Sequence, residues 1–318
     1  MAETNADSRK AHLVFFAGLA AGAALFHQPL GLLCVLTRQS ELYSHIPLIP
    51  AVSLFLLWLK RSEVFSEISA AKRPGAALGF LSILVFVAAQ SFRESLGTVS
   101  FRGGKLPNDF LSLAQAGFLC WVYGGFLFAY GRLAFRKALF PLGFLLFLIP
   151  LPVFAADFLI HLLQHASAEL SNAIFSLLGT TYHRVGLNFE FANLTVYVAE
   201  ECSGIRSSMA LFILSVLAGN LFLSSTQGRV LLVAAVLPIA TLKNAFRIVL
   251  ISLLANYVDL RFVSNHWLHT MGGMPFFLFA LLLFVPVAWV LRRRESRATV
   301  KIKPQPYDVK SRDKPCGV

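Results

Sequence analysis

The sequence predicts an all-α fold, a polytopic transmembrane helix bundle of about eight spans, with a short extracytoplasmic β-hairpin and an interfacial helix leading to Cys202. Three observations carry this. Of 318 residues, 57% are hydrophobic and only 14% are charged, far from the balance of a soluble domain. Apolar runs close to the roughly 20 residues needed to cross a bilayer recur along the chain. Lys and Arg gather at alternate ends of those runs, as they do on the cytoplasmic side of membrane proteins.

Taken in order, the spans fall at about 12–34, 45–60, 75–92, 110–131, 138–155, 204–223, 230–256 and 272–291. The second opens on Tyr43-Ser44-His45-Ile46-Pro47. It is short, with Pro47 and Pro50 in its first turns, where proline is tolerated. The polar stretch Met1–Lys10 lacks the apolar core of a removable signal peptide, so the first span is expected to be an uncleaved anchor.

Orientation follows from the cations. Arg9 and Lys10, Lys60 and Arg61, Lys72 and Arg73, Arg132, Arg136 and Lys137, Arg229, and Arg292 to Arg294 share one side if the spans alternate from a cytoplasmic N-terminus. The loops 35–44, 93–109, 156–203 and 257–271 then lie outside. The net charge of +12, with nine Lys or Arg after Leu291, reads as membrane topology and lipid contact, with no nucleic acid as partner. Residues 1–294 form the membrane-embedded domain, and 295–318, charged and containing Pro304, Pro306 and Pro315, form a basic cytoplasmic tail expected to lack fixed structure.

The long outer stretch has structure of its own. Phe158, Leu162, Leu163, Ala166, Leu170, Ile174 and Leu177 recur at helical spacing, interrupted by His161, Gln164, His165, Ser167 and Glu169, the pattern of an amphipathic helix at the interface or a re-entrant segment. Residues 185–199 alternate apolar and polar around Ala192-Asn193, which predicts a hairpin. It delivers the chain to Glu201-Cys202-Ser203-Gly204-Ile205-Arg206.

Four cysteines, at 34, 120, 202 and 316, form no CxxC pair and argue against a disulfide framework. Cys34 and Cys120, inside apolar runs, are expected to be small buried hydrophobes. Cys202 differs. It sits at the start of a helix, where the macrodipole and free N–H groups favour the thiolate.

Ionisable residues within spans are expensive and mark function. Arg247 lies in the outer half of span seven, on one helix face with Asn244 and close to Lys243. Lys243 is expected to snorkel or to contact another helix. Span eight is preceded by Ser264-Asn265-His266-Trp267-Leu268-His269, so His266 and His269 stand at the height of Cys202. Thiol nucleophile, proton-transfer partner and stabilising cation are the parts of a covalent acyl-transfer site. The two histidines, three residues apart with no obvious third ligand, make zinc unlikely, and no cofactor is expected.

At these residues the chain resembles the exosortase/archaeosortase family of membrane-embedded cysteine transpeptidases. The resemblance spans roughly residues 40 to 292 and rests on four matches in order: Tyr43-Ser44-His45 with the following prolines, Glu201-Cys202-Ser203-Gly204-Ile205, Asn244-Ala245-Phe246-Arg247-Ile248, and His269-Thr270-Met271-Gly272-Gly273. It implies a Cys202/Arg247/His269 catalytic site, His269 being chosen over His266 because Gly273 follows it. Asn244, Glu201, Ser203 and Gly204 are supporting positions, with His266 in reserve. It further implies a multi-pass protein of the bacterial cytoplasmic (inner) membrane with its site on the periplasmic face. The substrates would be exported proteins ending in a short motif, an apolar helix and a basic tail, cleaved through a thioester and passed to an acceptor the sequence does not name.

Two other readings compete. In a transporter or assembly factor of exopolysaccharide export, Arg247 and the histidines would line a pathway and Cys202 would be incidental. The paired, inverted broken helices that mark transporter sites are missing from the sequence pattern. A membrane protease that only hydrolyses differs in the acceptor alone.

Overall fold

The computed structural model describes residues 2–101, 104–106, 108–259 and 274–302. Twelve helices are described: α1 (Ala2–Leu25), α2 (His27–Gln39), α3 (Leu48–Leu59), α4 (Arg61–Val64), α5 (Lys72–Ser91), α6 (Asn108–Lys137), α7 (Leu139–Phe144), α8 (Val153–Leu177), α9 (Ile205–Phe222), α10 (Thr226–Ala234), α11 (Val236–Tyr257) and α12 (Met274–Ile302). Packing divides the chain into two units, Met1–Leu162 and Leu163–Val318. The protein is an all-α polytopic bundle with two small sheets.

Among the described residues, five helices are long and apolar enough to cross a membrane, or up to seven spans if each of two bent pairs counts as one. The remaining expected span, the second, is α3, which has only 12 residues and covers about 18 Å of a hydrocarbon core near 30 Å. The other departures from the expected spans fall at prolines. A proline ring collides with the carbonyl four residues earlier and removes a backbone donor. Pro29 stands four residues after Leu25, where α1 ends, and the expected span 12–34 is accordingly two helices bent by 75°. Pro238 stands four residues after Ala234, the last residue of α10.

The third break is the largest. The expected span 138–155 ends in a 3-10 turn, Leu145–Leu148, and α8 leaves at 86° beyond Pro150-Leu151-Pro152. Ile149 is extended, with φ −77° and ψ 118°, as a residue before proline prefers. The backbone groups freed here are taken up by the first turn of α6 and by Tyr43. Ser112 Oγ donates to Pro150 O at 2.8 Å, while Asn108 Nδ2 at 2.5 Å and Tyr43 Oη at 3.2 Å donate to Leu151 O. Val153 N, at the start of α8, donates to Asp109 Oδ1 at 2.7 Å. The irregular backbone of the break is thus satisfied within the protein, as a membrane protein requires of its non-helical segments.

In the first unit α5 and α6 touch backbone to backbone. A Cβ on Gly75 would lie 2.7 Å from Phe128 N, and one on Gly124 would lie 2.8 Å from Gly75 O. Small residues allow the close approach that holds helices together where lipid offers no hydrophobic drive. An aromatic cluster of Phe15, Phe65, Phe126 and Tyr130 packs beside it.

In the second unit, α9, α10, α11 and α12 share a core of Leu211, Leu223, Leu232, Ile239, Ala280 and Phe284. Glu295 of α12 accepts from Ser224 N at 2.8 Å and Ser225 N at 3.2 Å, tying the turn between α9 and α10 to α12. That helix runs past Arg294 to Ile302, and residues 303–318 of the expected tail lie outside the described residues. A second core joins α8 and α11 to a sheet: Ala168, Phe175, Phe189, Phe191, Val198, Ile248 and Val249.

The expected hairpin is present and larger than expected. Strands β3 (His183–Val185), β4 (Asn188–Glu190) and β5 (Thr195–Tyr197) form an antiparallel meander with Phe189 opposite Val196. Phe191 N bonds Leu194 O at 2.8 Å across the expected turn. A further hairpin, β1 (Val99–Phe101) with β2 (Gly104–Leu106), lies in the 93–109 loop, where charge concealed the alternation. Cys34 is exposed and Cys120 half-buried, not the two buried thiols expected; on a lipid-facing helix a small apolar thiol has no need of a protein core.

Candidate active site

The candidate site is built on two helices and a turn of the second unit. Beyond β5 the chain enters a 3-10 turn, Glu200–Ser203, carrying Glu201 and Cys202, whose side chains lie outside what is described. Gly204 follows in the left-handed region, φ 70° and ψ 17°, and serves as the N-cap of α9. Only glycine adopts this conformation without cost. Ser203 is fully buried, and its Oγ accepts from Ile205 N at 3.3 Å, so its hydroxyl shapes the turn.

The turn is seated on α11. A Cβ built on Gly204 would stand 2.7 Å from Lys243 Nζ and 2.9 Å from Asn244 Oδ1. Conformation and space therefore both demand glycine. Asn244, fully buried, donates through Nδ2 to Ser167 Oγ of α8 at 3.1 Å, and Ser171 Oγ donates to Ala245 O at 3.4 Å. Arg247 lies one turn further along α11, about 4.5 Å on at the usual helical rise. Its guanidinium carbon is 5.9 Å from the Phe276 ring centroid, in the first turn of α12, a cation–π contact.

Thus the turn bearing Cys202 and the face bearing Asn244 are brought together, with Arg247 one turn beyond. His266 and His269 lie outside the described residues; in sequence they lead directly into α12, whose first turn stands beside Arg247.

Sequence reasoning missed the part played by α8. Phe154, Phe158 and Leu177 are 76%, 67% and 87% exposed, and His165 and Glu169 are exposed with them, while Gln164, Ser167 and Ser171 are buried beside Leu163, Ala168 and Phe175. Gln164 Nε2 donates to Val198 O at 2.9 Å, holding the strand that leads to Cys202. The signal was available: these three polar residues, spaced three and four apart, share a face, and in a membrane it is the small polar face that binds other helices.

The fold and these buried polar residues define the class: a multi-pass membrane protein with a polar site between helices. Within it, the model of the transmembrane exosortase family matches residues 37–286, and the chain belongs to that family. No curated protein and no solved structure matches the chain.

Proposed function

We propose that the protein is a membrane-embedded cysteine transpeptidase or peptidase that cleaves C-terminal sorting signals from exported proteins. The observation that carries this reading is the seating of Gly204 against Lys243 and Asn244, which brings the turn of Cys202 to the α11 face that continues into Arg247. Membership of the exosortase family supports the same chemistry.

Cys202 is the nucleophile. As the turn feeds the N-terminus of α9, the helix dipole and the Arg247 charge favour its thiolate. The thiolate adds to the scissile carbonyl, Arg247 stabilises the oxyanion, and the tetrahedral intermediate collapses to a thioester as the C–N bond breaks. His269 gives the leaving amine its proton, then takes one from the amine or water that resolves the thioester. The substrate signal is a short motif followed by an apolar helix and a basic tail. The protein resides in the bacterial inner membrane with the site on its periplasmic face.

The test is Cys202→Ala or Cys202→Ser in cells exporting a reporter that carries such a signal. Both variants should insert normally and accumulate uncleaved reporter, and the wild type should yield a hydroxylamine-sensitive adduct at Cys202. Normal cleavage by Cys202→Ala would end the enzyme reading and return weight to an export or assembly role.

A further inference from the structure

Of the two expectations for Lys243, snorkelling or contact with another helix, the structure shows the second: it is 2% exposed and meets α9. A cation buried at membrane depth is costly unless polar groups meet it. Among the described residues no carboxylate lies within ion-pair distance of it. Its ammonium instead donates to Ser207 Oγ of α9 at 2.5 Å, and Ser207 Oγ donates in turn to Gly204 O at 3.0 Å. The chain of bonds runs from α11 through the first turn of α9 to the carbonyl of the residue that closes the Cys202 turn.

We infer that Lys243 is a positioning residue of the site: bonded to Ser207 and packed against Gly204, it staples the first turn of α9 to α11 and so fixes the approach and environment of Cys202. The inference rests on the reading of Cys202 as the reactive thiol. It assigns Lys243 a role separate from that of Arg247, which faces Phe276 instead. Loss of either end of the staple should act alike, since one hydrogen bond to a charged donor is at stake.

The experiment measures how fast a maleimide labels Cys202 in the full-length, membrane-inserted chain with Cys34, Cys120 and Cys316 replaced by Ala. Lys243→Met and Ser207→Ala should each slow labelling by about tenfold, a charge-assisted bond's worth. The double variant should be no slower than either single one, the sign of a shared interaction. Ser207→Thr, which keeps the hydroxyl, should label at the wild-type rate; loss of helix packing alone would not be rescued this way. Wild-type labelling in Ser207→Ala, or equal slowing by Ser207→Thr and Ser207→Ala, overturns the inference. If Lys243→Met fails to insert, the Ser207 pair decides. Labelling needs no substrate, so cleavage by Cys202→Ala would refute the proposed function without touching this result.

Discussion

Gly204 and Asn244 stand so close that the Cβ of any other residue at 204 would come within 2.9 Å of Asn244 Oδ1. Because Gly204 is also left-handed, Gly204→Ala meets two penalties. The backbone conformation alone costs about 1–2 kcal/mol for a residue with a Cβ. The variant should insert and fold with a lower melting temperature, and its reporter cleavage should fall far more than its stability, because relief of the clash moves the Cys202 turn off α11. Cleavage that falls only in proportion to folded protein would separate Gly204 from the chemistry.

Asn244 and Ser167 form the second seam of the site, joining α11 to α8 at 3.1 Å. Asn244→Ala leaves Ser167 buried without this donor, a loss of about 1–3 kcal/mol. Ser167→Ala removes the smaller partner and should cost less. We expect thermal unfolding in detergent to rank Asn244→Ala below Ser167→Ala, with the double variant close to Asn244→Ala. Additive losses would mean that the two side chains act separately.

The break before α8 gives a prediction in the other unit. Tyr43 and Asn108 both donate to Leu151 O. Burial pushes the Tyr43 hydroxyl up to about 12, so the phenol keeps its proton below its ordinary unfolded value near 10. Its contribution to stability is therefore constant through neutral pH and is lost only as pH rises towards the folded value. Tyr43→Phe should lower stability by about 1 kcal/mol, and Asn108→Ala by more, since it also empties a buried position. Unfolding of Tyr43→Phe relative to wild type, followed from pH 6 to 9, should give a constant difference.

Much of this was legible because membrane helices announce themselves by length and apolarity. The runs that became α5, α6, α9 and α12 needed no more, and Cys202, Asn244 and Arg247 stood out as polar residues in apolar surroundings. The bends were harder. Pro29 and Pro152 were visible, but whether a proline kinks a span or turns it by 86° depends on which donors meet the freed carbonyls, and Ser112 and Asn108 are remote in sequence from the Pro150 and Leu151 carbonyls they meet. The buried face of α8 was misjudged for a different reason. An amphipathic pattern separates apolar from polar positions, whereas the buried face of α8 mixes Gln164, Ser167 and Ser171 with Leu163, Ala168 and Phe175. The depth of Lys243 was set by Ser207 and Gly204, a tertiary match that helical periodicity cannot express.

The last prediction divides labour between Arg247 and the two histidines. A guanidinium presents a planar fork of donors to an oxyanion, whereas lysine offers a compact charge on a different stem. Arg247 also stacks on Phe276, an arrangement an ammonium reproduces poorly. Arg247→Lys should therefore lose cleavage by about 10² to 10³-fold, the usual cost of one oxyanion donor, although the charge remains. His269→Ala should cost roughly 10² to 10⁴-fold through loss of proton transfer, and His266→Ala much less. Single-turnover cleavage in purified membranes can rank the three. If His266→Ala is the inactive variant and His269→Ala is not, the proton carrier is His266 and the Cys202–Arg247 chemistry stands. If neither histidine matters, the carrier lies elsewhere, with Glu201 and His45 the next positions to replace.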